Sequence, residues 1–308
     1  MAELITTLGS LGLHDLGPGI VLPHEHVFVD MRGADHPDQG AADREAVVAL
    51  MAPELVRARA AGVAAIVVCT PVGVGRRADF DFAVSQAGGL PLIVPTGLYR
   101  EPWIPAWARA ASEGELRDWM EGELLGEIGH TGVQAAWIKL SAGDDGLTAI
   151  EAKVLRAAAA AGLVTGAAIG SHTVRGRVAL DQLDIIEHAG YDPRRFIWIH
   201  AQNEPDLALH TTIARRGAWI EYDAIGSAPD TDNAYLAHVH RMLDSGFGRQ
   251  VMLSHDRGWY DPTKPGGGQP RPFTYIADTF VPKLRDSGVG ASMVEMLTRT
   301  NSFHAFAR

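Results

Sequence analysis

Eight short apolar runs, each followed by a stretch of helical character, restrict the folds open to this chain more than any other feature. The runs cover residues 19–22, 64–69, 92–97, 134–141, 164–171, 196–200, 218–222 and 251–254. None alternates strictly between polar and apolar residues, so each reads as a strand covered on both faces. The first helical stretch, 44–61, shows the intervening pattern. Val47, Val48, Leu50, Met51, Leu55 and Val56 recur near helical spacing, and Gly62 is a natural stop. Further helical stretches fall at 79–87, up to 128, and at 147–161, 178–189, 206–216 and 235–245. Strands alternating with helices imply a parallel sheet wrapped by helices. Eight units in 308 residues favour a closed α/β (β/α)8 TIM barrel over a doubly wound sheet.

No linker divides the chain, so one domain over 1–308 is expected. Residues 1–18 hold two Gly-centred turn signals and read as a short N-terminal β-hairpin capping the bottom of the barrel. Long loops at 31–43 and 258–272 follow the first and last strands and belong to the C-terminal face. A formal charge of −10 argues against nucleic acid as a partner. Cys69 is the only cysteine, which excludes an intrachain disulfide and suits a reducing compartment. The start, Met-Ala-Glu-Leu, lacks the basic and apolar regions of a secretory signal. The Ala-rich stretch 154–168 contains Arg156, Gly162 and Thr165 and is too short to span a bilayer. A cytoplasmic protein without a membrane partner is expected.

His24 and His26 follow the first run, separated by a single residue. On a strand they project to one face, and two convergent imidazoles suit a divalent metal. For an isolated pair, ordinary histidines near a turn would be the simpler account. Here other ligand types recur at compatible places. Lys139 stands near the end of the fourth run, and His172 and His200 at the ends of the fifth and sixth. Asp256 follows the eighth. Strand ends spaced by βα units bring such side chains to one rim, where barrel active sites are built. Lys139 lies within Trp-Ile-Lys-Leu-Ser, a costly place for an ammonium. Burial and nearby cations favour its neutral amine, which can add carbon dioxide to form a carbamate able to bridge two metals. The alternative is a lysine paired with a carboxylate such as Asp256.

The motifs PHEH, WIKLSAGDDGLTAIEAKVLRAA, GSHT, IHAQNEPD and LSHD occur in that order along nearly the whole chain. In this the chain resembles the phosphotriesterase family of the amidohydrolase superfamily. The resemblance implies a binuclear metal centre, zinc before manganese, cobalt or iron. It assigns His24, His26 and Asp256 to the more buried metal and His172 and His200 to the more exposed one. Carboxylated Lys139 and a hydroxide would span the two. That hydroxide would attack a substrate polarised by the exposed metal, with Asp256 as the catalytic residue that accepts the proton. Homodimers are common in the family.

Tyr99, in Gly-Leu-Tyr, matches a tyrosine lining the site in the family's lactonase branch; packing over the third strand's end would also account for it. Two departures stand out. Ala224 follows Asp223 where that branch has an arginine. His200 is followed by Ala-Gln-Asn-Glu, so Asn203 or Glu204 would have to replace a relay aspartate of phosphotriesterases. In the eighth loop, Arg257, Trp259, Tyr260 and Lys264 form a candidate specificity lid. Its two cations would either recognise an anionic group or remain solvated. His255 should point away from Asp256's side. The function expected is hydrolysis of a small-molecule lactone or other carboxylic ester, with promiscuous phosphotriesterase activity. The alternative is a non-catalytic ligand-binding protein that keeps the metal cage.

Overall fold

A computed structural model of the chain describes residues 2–228 and 231–308. The barrel strands are β1 Ile20–Phe28, β2 Val63–Val68, β3 (Leu92–Ile93 continued by Pro95–Thr96), β4 Trp137–Ser141, β5 Ile169–His172, β6 Phe196–Ile199, β7 Trp219–Tyr222 and β8 Val251–Leu253. All pair in parallel and in sequence order. The two pieces of β3 join the halves, the first pairing with β2 and the second with β4. The ring closes where His24 N donates to Ser254 Oγ and Asp256 N donates to the His24 carbonyl. The architecture is a (β/α)8 barrel.

Period-two alternation divides the strands between two cores. Leu22, Ile66, Ile138, Trp198 and Ile220 pack outward against the helices. Val21, Ala65, Ile93, Trp137, Ile197 and Met252 fill the barrel. The lower end is plugged. Leu4, from the antiparallel hairpin Leu4–Thr6 and Gly9–Leu11, joins Phe303 and Phe306 of the helix Asn301–Phe306 in the interior cluster. The Phe306 ring meets Trp137 edge-on at 5.0 Å. Side chains at the upper strand ends are therefore the ones free to build a cavity.

Two boundaries differ from the sequence expectation. The Ala-rich helix runs Ala149–Thr165, with a Thr148/Glu151 capping box at its start and left-handed Gly166 at its end, so β5 begins only at Ile169. Five consecutive alanines and a satisfied N-terminus outweigh the β-preference of Val164 and Thr165. Within the expected Gly/Pro loop, Gly258–Tyr260 forms a further strand, β9, parallel to β1. It pairs Gly258 with His26 and Tyr260 with Phe28. Gly258 has φ 94°, and a Cβ there would collide with the His26 carbonyl, so this approach requires glycine.

Candidate metal centre

A bulge in β1 sets the site. The pairing with β2 shifts register between Leu22 and Glu25, so Val21 and His24, three apart, both face the interior. His24 and His26 then project inward, and Glu25 between them turns toward β8. On β4, Trp137 and Lys139 face inward together. Gly97, at φ 109°, crosses the Lys139 peptide where any Cβ would strike its carbonyl. His172 ends β5. His200 and Asp256 follow β6 and β8 with φ of 66° and 53°. Left-handed backbone at non-glycine residues is uncommon and concentrates at functional positions.

All six side chains border one cavity of about 90 Å³, walled also by Val29, Met31, Cys69, Val74, Tyr99 and Trp259. His26 Nε2 is 3.1 Å from Asp256 Oδ1, and His24 Nε2 is 3.9 Å from it. The rings of His24 and His200 lie 5.0 Å apart, and those of His172 and His200 4.2 Å. Ligand atoms of His24, His200 and Asp256, drawn from both expected metal positions, fall within 4.8 Å of one another.

Partners behind the rings fix three tautomers. His24 Nδ1 donates to Glu221 Oε1 at 2.8 Å and His200 Nδ1 to Asp223 Oδ1 at 2.7 Å. Thr70 Oγ1 donates to the Phe28 carbonyl, so it accepts from His26 Nδ1 at 2.7 Å. Each Nε2 lone pair is thereby left for the cavity. Among the described residues His172 lacks such a partner; Tyr99 Oη stands 3.3 and 3.4 Å from its two nitrogens.

The electrostatics favour a cation. Burial, helped by the Lys139 ammonium, pushes the His24 imidazole down to about 4. Burial and the neighbouring His200 and Lys139 hold His172 well below its ordinary value. Both rings are neutral donors near neutral pH. Burial opposes ionisation of Asp256, but the close approach of the His26, His24 and His200 rings holds its carboxyl well below the usual range. Lys139 Nζ and Asp256 Oδ1 are buried without a hydrogen-bond partner among the described residues. The lysine–carboxylate pair is thus not formed. Neutral nitrogens, an ionised carboxylate and two orphaned polar atoms around one cavity fit divalent cations.

Other expected residues divide. Trp259 (φ 74°) places its ring edge-on to His26 at 5.4 Å and lines the cavity. Arg257, expected at the substrate, lies outside the wall. Its backbone N–H donates to Glu25 Oε2, its guanidinium donates to the Gly226 and Pro272 carbonyls, and it covers the Tyr275 ring at 5.0 Å. Lys264 is exposed. Glu204 accepts from the backbone N–H groups of Gly176 and Asp206, and Asn203 is exposed, so neither reaches the cavity. His255 turns away to Glu25 Oε1 at 2.6 Å. Glu221, Asp223 and Thr70 were missed as partners of the histidines. The signal for the first two was available: acidic residues two apart at the end of an apolar run project to one face. Arg271 was missed as well; it lies 5.2 Å over the Trp259 ring and donates to the Asp256 carbonyl.

A model described as the phosphotriesterase family matches residues 2–306. The phosphotriesterase homology protein of Escherichia coli (strain K12) is 29% identical over 290 residues, covering 94% of this chain and 98% of that one. An aryldialkylphosphatase of Saccharolobus solfataricus is 27% identical over 311 residues, 96% of this chain and 98% of its own. Among solved structures, a protein engineered for organophosphate hydrolysis from a weak promiscuous lactonase template superposes with a TM-score of 0.88. It is 28% identical, with 99% of this chain and 100% of that one covered.

Proposed function

The chain belongs to the phosphotriesterase family, and from that premise we propose that it is a binuclear metal hydrolase cleaving a lactone or another carboxylic ester. The observation that carries this is the set of three imidazoles whose Nδ1 atoms are tied back while Nε2 faces the cavity that buries Lys139 Nζ and Asp256 Oδ1. His24, His26 and Asp256 would hold the inner cation, His172 and His200 the outer one, and Lys139 as a carbamate would join them. Two divalent cations, zinc before manganese, cobalt or iron, supply an activated water and a Lewis acid.

The chain's own groups do the rest. Asp256, whose side chain is 27% exposed, takes up the proton at its carboxylate and releases it to solvent. Glu204 is committed to backbone donors and Asn203 is exposed, so neither stands in the cavity to pass that proton on. Tyr99 and Trp259 wall the reacting centre. A second cavity of about 180 Å³ shares Val29, Met31 and Trp259 with the first and adds Arg32, Asp261 and Thr263. Two compartments match the two substituents of a carbonyl carbon, or the ring and tail of a lactone. A phosphotriester has three arms, so its turnover should be the weaker, promiscuous one.

The test is a hydrolysis panel of lactones, aryl esters and phosphotriesters, run on wild type and Asp256→Asn. Turnover that a chelator abolishes and zinc, manganese or cobalt restores supports the proposal. No turnover on any class with metal bound would point instead to a ligand-binding protein that kept its cage.

A further inference from the structure

Glu221 is an anomaly within the barrel. It sits on β7 with no exposure, two residues before Asp223, on the inward face that Trp219 also occupies. Asp223 is fully employed. Its Oδ1 accepts from His200 Nδ1 and Gln202 Nε2, and its Oδ2 accepts from His200 N. Among the described residues Glu221 makes one hydrogen bond, from His24 Nδ1, and its Oε2 is buried with no partner. The same Nδ1 lies 3.3 Å from Asp223 Oδ2, so one imidazole N–H faces two buried carboxylates. Apolar residues would fill that layer at far lower desolvation cost. No other hydrogen bond among the described residues compensates a full charge there.

The compensation lies on the other side of the ring. We infer that Glu221 is a positioning residue that strengthens cation binding at the inner position, acting through His24; this rests on the metal-centre proposal above. A carboxylate behind Nδ1 fixes the tautomer and ring orientation and raises the donor strength of Nε2. The arrangement is paired. Glu221 backs His24 of the inner set, Asp223 backs His200 of the outer set, and His26 has only the neutral Thr70. Removing Glu221 should therefore weaken one of two binding steps and spare the other.

The experiment uses the full chain, stripped by chelation and titrated with zinc against a chromophoric competitor. Wild type, Glu221→Gln and Glu221→Leu are compared, and melting temperatures are read with and without zinc. The expected result is a loss of about 10–100-fold in one stepwise constant with the other within three-fold. The stripped variants should melt at or above stripped wild type, and zinc should raise their melting temperature by less. Both constants within three-fold of wild type, or stripped variants that lose as much stability as loaded ones, would overturn the inference. Wild type that binds no zinc would fail the metal-centre proposal itself, a result distinguishable because no step is then left to weaken.

Discussion

Two groups of histidines lie close together in this barrel and have opposite characters. At the upper rim, His24, His26 and His200 each spend one nitrogen on a partner and keep the other for a cavity. Behind β7, His210 spends both: Nδ1 on the Tyr222 hydroxyl at 2.9 Å and Nε2 on the Glu204 carbonyl at 3.1 Å. His238 stacks on His210 and Tyr222 at 5.8 and 5.3 Å. Both groups are sheltered and aromatic-rich. The difference is whether a lone pair remains unspent beside empty space, and that separates a ligand from a filler.

The largest effect that could break this contrast is at the rim. Asp256→Asn should lower kcat/KM on the best ester by about 10²–10⁴-fold, measured by steady-state kinetics, with metal content largely kept. A loss of only a few-fold would remove Asp256 from proton transfer. Next comes a matched pair. His200→Ala should lose bound zinc by elemental analysis while the stripped fold survives. His210→Ala should keep zinc yet lose about 1–3 kcal/mol in denaturant unfolding, because the Tyr222 hydroxyl and the Glu204 carbonyl are left unpaired. Exchanged outcomes would invert the assignment.

Acid sharpens the same contrast. Burial pushes His210 down to about 4 from an ordinary 6.5. Between those values the unfolded chain binds a proton that the native ring refuses, so stability is whole above 6.5 and falls as pH drops toward 4. The site's share of that fall is about 3 kcal/mol. A His210→Gln variant should show a flatter acid limb in denaturant midpoints taken from pH 7 to 4; parallel limbs would assign the loss elsewhere. The smallest effect is expected for Tyr99→Phe. Its hydroxyl reaches His172 only at 3.3 and 3.4 Å, so kcat/KM should shift by no more than a few-fold.

Much of this was legible because strand ends are where a barrel keeps its polar residues. The eight runs, the hairpin and the rim placement of His24, His26, Lys139, His172, His200 and Asp256 all follow from period and spacing. What escaped was tertiary. Arg257 was read from its charge, but Glu25 holds its backbone and turns the guanidinium to Gly226. Asn203 or Glu204 would have had to stand in for a relay aspartate, yet the Glu204 carboxylate holds the Gly176 N–H at the start of a helix and Asn203 is exposed. Glu221 and Asp223 were visible as an acidic pair, but nothing local announces that each stands behind a histidine. The strand at Gly258–Tyr260 was hidden by a Gly/Pro-rich composition that locally reads as loop.

That strand bears on how substrate scope can change. Because Gly258 and Tyr260 are laced to His26 and Phe28, and Gly258 exchanges both backbone bonds with Arg271, the lid is clamped at its two feet. The span 261–270 between those feet carries Asp261 and Thr263 of the second cavity, so its sequence sets part of what borders the site. Side-chain changes within that span can thus retune what enters the barrel while the clamped feet keep the chemistry beneath in register.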